Sequence, residues 1–105
     1  MNQRFLSTLG LCMRAGKLTF GFDTVRAAVL EGSVCLMMTA SDLSPKTTKE
    51  ADFLAEKHQL PLLHLPMTMT EIGYAIGKKT GVIAITDAGL SRRLMELQQM
   101  PPDEA

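Results

Sequence analysis

Apolar positions along the 105-residue chain switch back and forth between helical spacing and short strand-like runs. Phe5, Leu9, Cys12 and Met13 recur three and four residues apart, which predicts a helix over 2–15 with one buried stripe. Gly16 suits the left-handed backbone that ends a helix, a short strand is expected over 17–20, and Gly21 turns the chain onward. A second helix follows over 23–31, burying Val25, Ala28 and Val29. The unbroken apolar run 34–38 reads as a central strand covered on both faces. Ser44 and Pro45 form a cap and first-turn pair for a third helix, with Ala51, Leu54, Ala55 and His58 along its inner side. Pro61 breaks that helix and Pro66 bounds the short strand 62–65. Thr68 and Glu71 form a capping-box pattern for a fourth helix, with Met67 and Ile72 spaced as a hydrophobic staple. A basic loop over 77–81, a strand over 82–85 and a helix capped by Asp87, with Leu90, Leu94 and Leu97 on its apolar stripe, complete the chain.

Five helices alternating with four strands predict an α/β fold, a three-layer α/β/α sandwich around a four-stranded sheet. Crossovers through helices predict mostly parallel strand pairs, with the 17–20 strand the expected antiparallel member. One domain is expected over 1–99. The tail 100–105, polar and carrying two prolines, is expected to fray.

Composition adds bounds. Hydrophobic residues make up 46% and charged residues 21%, the balance of a globular protein. No apolar run approaches the roughly 20 residues that span a bilayer, and the N-terminus lacks a signal-peptide pattern. Cys12 and Cys35 form no paired framework. A cytoplasmic protein without a membrane partner is the simplest reading. Eleven Lys and Arg balance eleven Asp and Glu, so any nucleic-acid contact requires positive charge gathered on one edge.

The chemistry-bearing residues point away from catalysis. The chain has no Gly-x-Ser-x-Gly elbow, no Gly-x-Gly-x-x-Gly fingerprint and no ligand set at metal spacing, so no enzyme activity, metal or cofactor is expected. Gly73 to Thr80 resembles a phosphate loop, but three residues separate its glycines where four are required, and it ends a helix. His58 and His64 have no third ligand nearby and read as partly buried, hydrogen-bonded side chains. Cys12, Cys35 and most of the methionines fall on core stripes. Lys49, Lys57, Arg92 and Arg93 are most simply solvated charges. Two places stand apart. Gly21 at a helix start leaves free backbone N–H groups, with Lys17 nearby, and such a start suits an anion. Lys78 and Lys79, bracketed by Gly77 and Gly81, form either a phosphate-contacting loop or a plain connection.

The stretches Leu9-Gly10-Leu11-Cys12-Met13-Arg14-Ala15-Gly16-Lys17-Leu18 and Gly21-Phe22-Asp23-Thr24-Val25 resemble the opening of the bacterial YlxQ-like proteins. So do Ala40-Ser41-Asp42-Leu43-Ser44, Ala75-Ile76-Gly77-Lys78 and Val82-Ile83-Ala84-Ile85-Thr86-Asp87-Ala88-Gly89. The match covers about residues 4–97 and keeps its order. These proteins belong to the ribosomal-protein group that recognises kink-turn RNA. The resemblance implies a mixed four-stranded sheet, with the Gly21 turn and the 77–81 loop at the same end. The family's RNA motif reads Gly-x-Asn-Glu-x-x-Lys. Gly21 matches its glycine, while Asp23, Thr24 and Ala27 stand at the Asn, Glu and Lys positions. Ionised Asp only accepts hydrogen bonds where Asn also donates, and Ala27 removes a cation beside the phosphates. Arg26 is adjacent.

Together these readings lead to a non-enzymatic RNA-binding protein, a ribosome- or translation-associated ribonucleoprotein component. Gly21, Phe22, Asp23 and Thr24 would meet base edges in a kinked groove. Lys17, Lys46, Lys78 and Lys79 would hold the sugar-phosphate backbone, and Thr80 and Gly81 would pack against an extruded nucleotide. Structured RNA is the expected partner, with the ribosome as a candidate carrier of it, and DNA is not expected. The alternative is a protein-interaction module on the same fold with weakened RNA binding, which zero net charge and Ala27 favour.

Overall fold

The computed structural model describes residues 3–99. The expected tail at 100–105 and the expected helix start at Asn2 lie outside the described residues. The elements run α1 (Gln3–Arg14), β1 (Leu18–Phe20), α2 (Phe22–Leu30), β2 (Leu36–Thr39), α3 (Pro45–Lys57), β3 (Leu62–His64), α4 (Met69–Ile76), β4 (Val82–Ile85) and α5 (Ala88–Gln99). The alternation of the chain's apolar pattern is thus realised as a three-layer sandwich.

Strand order is β1-β4-β2-β3. β4 is antiparallel to both β1 and β2, and only β2 and β3 pair in parallel. The mixed sheet and the antiparallel β1 are as expected, but the expected majority of parallel pairs is corrected, since only one of these three pairs is parallel. The cause lies after α4. Gly77 adopts a left-handed φ of 84°, and Gly73 lets the returning chain lie close, since a Cβ there would meet the Lys79 backbone at 3.3 Å. The chain reverses and enters β4 from the end at which α4 began.

Side chains of the two inner strands alternate between two cores, as the pleat requires. Leu36, Met38, Ile83 and Ile85 face a cluster with Phe5, Leu9, Ile72, Leu94 and Leu97 from α1, α4 and α5. Met37, Val82 and Ala84 face a smaller cluster with Val25, Val29, Ala51 and Leu54 from α2 and α3. Gly10 lets α1 approach α4, because a Cβ there would lie 3.1 Å from the Ala75 carbonyl oxygen.

Local caps form as the sequence predicts. Ser44 accepts from the Thr47 amide, and Asp87 accepts from the Leu90 amide at 2.8 Å. Thr68 and Glu71 complete the reciprocal capping box at 3.2 and 2.9 Å. Met67 and Ile72 are both buried beside it, as a staple demands. Thr68→Ala is expected to lower stability by about 1 kcal/mol. A urea titration measures this, and a change under a few tenths of that would show that the box contributes nothing.

Each histidine meets half of the expectation of a partly buried, hydrogen-bonded ring. His58 caps the end of α3, half-buried, with no hydrogen-bond partner at its buried Nε2. His64 is more than half exposed, because β3 is the edge strand. Its Nε2 lies 3.0 Å from Asp52 Oδ1 and its Nδ1 lies 2.7 Å from the buried Thr39 hydroxyl, so the ring ties β3 to α3 and β2. Cys12 is buried, whereas Cys35 is only half-buried. Burial, then the Asp87 charge, push the Cys12 thiol above its usual pKa, which suits an inert core residue.

Candidate functional site

Strand directions decide what meets at the end of the sheet. β1, β2 and β3 run the same way and β4 runs against them. Consequently the starts of α2, α3 and α4 and the 77–81 loop all gather at one end. Four hydrogen bonds lace them together. The Gly21 amide donates to the Val82 carbonyl at 2.9 Å, and the Ala40 amide donates to the Gly81 carbonyl at 2.9 Å. The Ser41 amide donates to the Met67 carbonyl at 2.7 Å, and the Met69 amide donates to Asp42 Oδ1 at 2.9 Å.

Gly21 is the pivot. Its φ of 88° and ψ of 137° belong to a region that residues with a Cβ rarely enter. It caps α2 through its backbone alone, with no side-chain hydrogen bond to the first turn. α3, α4 and α5 begin under the side chains of Ser44, Thr68 and Asp87 respectively. Asp23 and Thr24 are exposed on that open turn, while Phe22 is half-buried against the α2–α3 core.

Lys46 stands exposed in the first turn of α3, and Lys78 and Lys79 are exposed in the loop before β4. These three lysines share the Gly21 end. Lys17 does not. It precedes β1, and its carbonyl accepts from the Thr86 amide at the far end of β4. Four residue steps along β1 and its flanks, at about 3.3 Å each, put its backbone roughly 13 Å from Gly21. The expectation of Lys17 near the Gly21 turn is corrected, because the strand carries the two apart.

Thr80 and Gly81 are turned inward. Thr80 is buried, and its hydroxyl donates to the Val82 carbonyl at 3.2 Å. A Cβ on Gly81 would come within 2.5 Å of Leu43 and 3.1 Å of the Met69 sulfur. Their placement is that of packing residues that seat the basic loop on the 40–44 turn and α4. Sequence reasoning passed over Asp42, whose carboxylate binds that turn to α4. The signal for it was an acid two residues before a helix cap, which is too common to single out. Among the described residues no group of three or more His, Cys, Asp or Glu is placed to hold a metal ion.

A family model described as the Ribosomal protein L7Ae/L30e/S12e/Gadd45 family matches residues 3–95. The RNA-binding protein YlxQ of Enterococcus faecium is 30% identical over 95 residues, spanning 90% of this chain and 91% of its own. Large ribosomal subunit protein eL30 of Tetrahymena thermophila is 31% identical over 85 residues, spanning 79% and 82% of the two chains. A protein of unknown function from Bacillus halodurans has a structure that superimposes with a TM-score of 0.86 at 36% identity, over 92% of this chain and 98% of that one. The Giardia lamblia 15.5kD RNA binding protein shares the fold, with a TM-score of 0.76 at 15% identity over 94% and 91% of the chains. Relatives named as RNA-binding and ribosomal proteins agree with the non-enzymatic reading. The sandwich, the motif order and these matches make the chain a YlxQ-like member of the L7Ae/L30e/S12e/Gadd45 ribosomal-protein family.

Proposed function

We propose that the protein binds structured RNA of the kink-turn type, in association with the ribosome and in the cytoplasm. The start of α2 reads the RNA, and Lys46, Lys78 and Lys79 hold its backbone. The observation that carries this reading is the convergence of three helix starts and the basic loop on one sheet end, in a chain of this family. Of these, the start of α2 has no side-chain cap, so it keeps open N–H groups along with the partial positive charge of a helix start. Lys46, Lys78 and Lys79 share that end with the exposed carboxylates Asp23, Asp42 and Glu71. The lysines thus offer phosphate contacts without making the end positive as a whole, and the chain's formal net charge is zero. RNA-binding YlxQ and eL30 among the relatives support the partner class. No described helix is long and apolar enough to cross a membrane.

Asp23, Thr24 and Ala27 are all exposed, so the departures from the family motif fall on the surface that would meet RNA. Ala27 supplies no cation there. A fluorescence titration at fixed salt compares a kink-turn RNA with an uninterrupted duplex of equal length. The kink-turn RNA is expected to bind at least about tenfold tighter, the scale of one well-placed charged hydrogen bond, and Asp23→Ala is expected to shrink that ratio. Equal weak binding to both would overturn the proposal and favour a protein-interaction module on this fold.

A further inference from the structure

Of the four exposed large apolar side chains among the described residues, two stand on the facing helices α2 and α3: Leu30, 57% exposed, and Phe53, 68% exposed. Between them runs a groove of about 390 Å3, lined also by Phe22, Arg26, Lys49 and Lys57. Glu50 is the one carboxylate lining it, and Glu56 lines a neighbouring depression with Phe53 and Lys57. Lys46, Lys49, Phe53 and Lys57 follow one another at three- and four-residue spacing, so they form a single stripe down α3. That stripe runs roughly 17 Å, at 1.5 Å per residue, and it begins at the sheet end where Gly21, Lys78 and Lys79 gather. Cations along a groove with an exposed aromatic ring are the elements that hold single-stranded nucleic acid, phosphates on the charges and bases on the ring.

We infer that the α2–α3 groove carries a single-stranded RNA segment that flanks the folded element held at the sheet end. This rests on the proposed RNA reading and extends it to a second surface. Phe53 offers a stacking face, while Arg26, Lys49 and Lys57 meet the backbone of the departing strand. An acidic amphipathic peptide would satisfy the same charges. RNA is favoured because the groove opens on the end where the folded RNA would already sit, so its strand enters without a new partner.

The test uses the full chain and fluorescence anisotropy at fixed salt, with a kink-turn RNA trimmed flush or carrying a single-stranded extension of about eight nucleotides, within the usual site size. The extension is expected to tighten binding about fivefold or more, the scale of one stacked base. Phe53→Ala should abolish that gain and leave affinity for the trimmed RNA unchanged; its exposed position keeps the fold intact, which circular dichroism verifies. An extension that adds nothing, or a gain that survives Phe53→Ala, overturns the inference while leaving the kink-turn reading standing. If the trimmed RNA binds no better than a duplex, the kink-turn reading fails by itself, and an oligouridine of about eight nucleotides then decides the groove. Phe53-dependent binding of that oligomer supports it, and absence of binding overturns it. Phe53-dependent capture of an acidic Glu/Leu amphipathic peptide by a protein that binds neither RNA also overturns it, in favour of a protein partner.

Discussion

Replacing Lys78 and Lys79 together with alanine is expected to weaken kink-turn RNA binding about a hundredfold at moderate salt. Each exposed lysine that meets a phosphate contributes a charge-assisted hydrogen bond of about 1.5 kcal/mol or more, and the two lie side by side in one loop. Their removal should also lower the slope of log affinity against log salt by about 2, one for each lost phosphate contact. Stability should not change, because neither side chain is buried. Lys17→Ala provides the control, since its place at the opposite end of β1 predicts no change in slope. Titrations across a salt series read both quantities. A Lys17 effect equal to that of the loop lysines would move the binding surface away from the Gly21 end.

Phe5→Ala is expected to cost about 3–5 kcal/mol of folding stability, a large share of the roughly 5–15 kcal/mol that holds a domain folded. Phe5 is fully buried in the larger core, where α1 meets α5 and the sheet. Removing the ring leaves a void that rigid neighbours on three elements close only in part. Urea unfolding should show a lower midpoint at nearly unchanged slope. Leu11→Ala on the same helix should shift stability by no more than about 0.5 kcal/mol, because Leu11 is 47% exposed. Comparable losses at both positions would contradict the burial that defines this core.

What the chain declares locally, it declares well. The caps at Ser44, Thr68 and Asp87 depend on residues three or four positions apart, so their hydrogen bonds are written in the spacing itself. The apolar stripes of Phe5, Leu9 and Cys12 and of Leu90, Leu94 and Leu97 depend on the helical period alone. Even the resemblance to the RNA-binding family rests on short ordered motifs, and a model of that family matches residues 3–95.

Direction and proximity followed a different logic. Nothing within 82–85 states that it runs against both its neighbours; that follows from Gly73 and Gly77 folding the chain back beside α4. Lys17 is near Gly21 in number, yet a strand is a straight spacer, so the two occupy opposite ends of the sheet. Thr80 and Gly81 read as loop residues until Leu43 and Met69, brought in from elsewhere, close over Gly81. Lys49 and Lys57 read as solvated charge because periodicity shows one helix at a time, and Arg26 joins them only when α2 lies beside α3. Hydrophobic spacing and caps are short-range and therefore legible in order along the chain, which was enough for the elements and the family. The proposed binding end and the charged groove are meetings of distant segments, so they exist only once packing has chosen which segments meet.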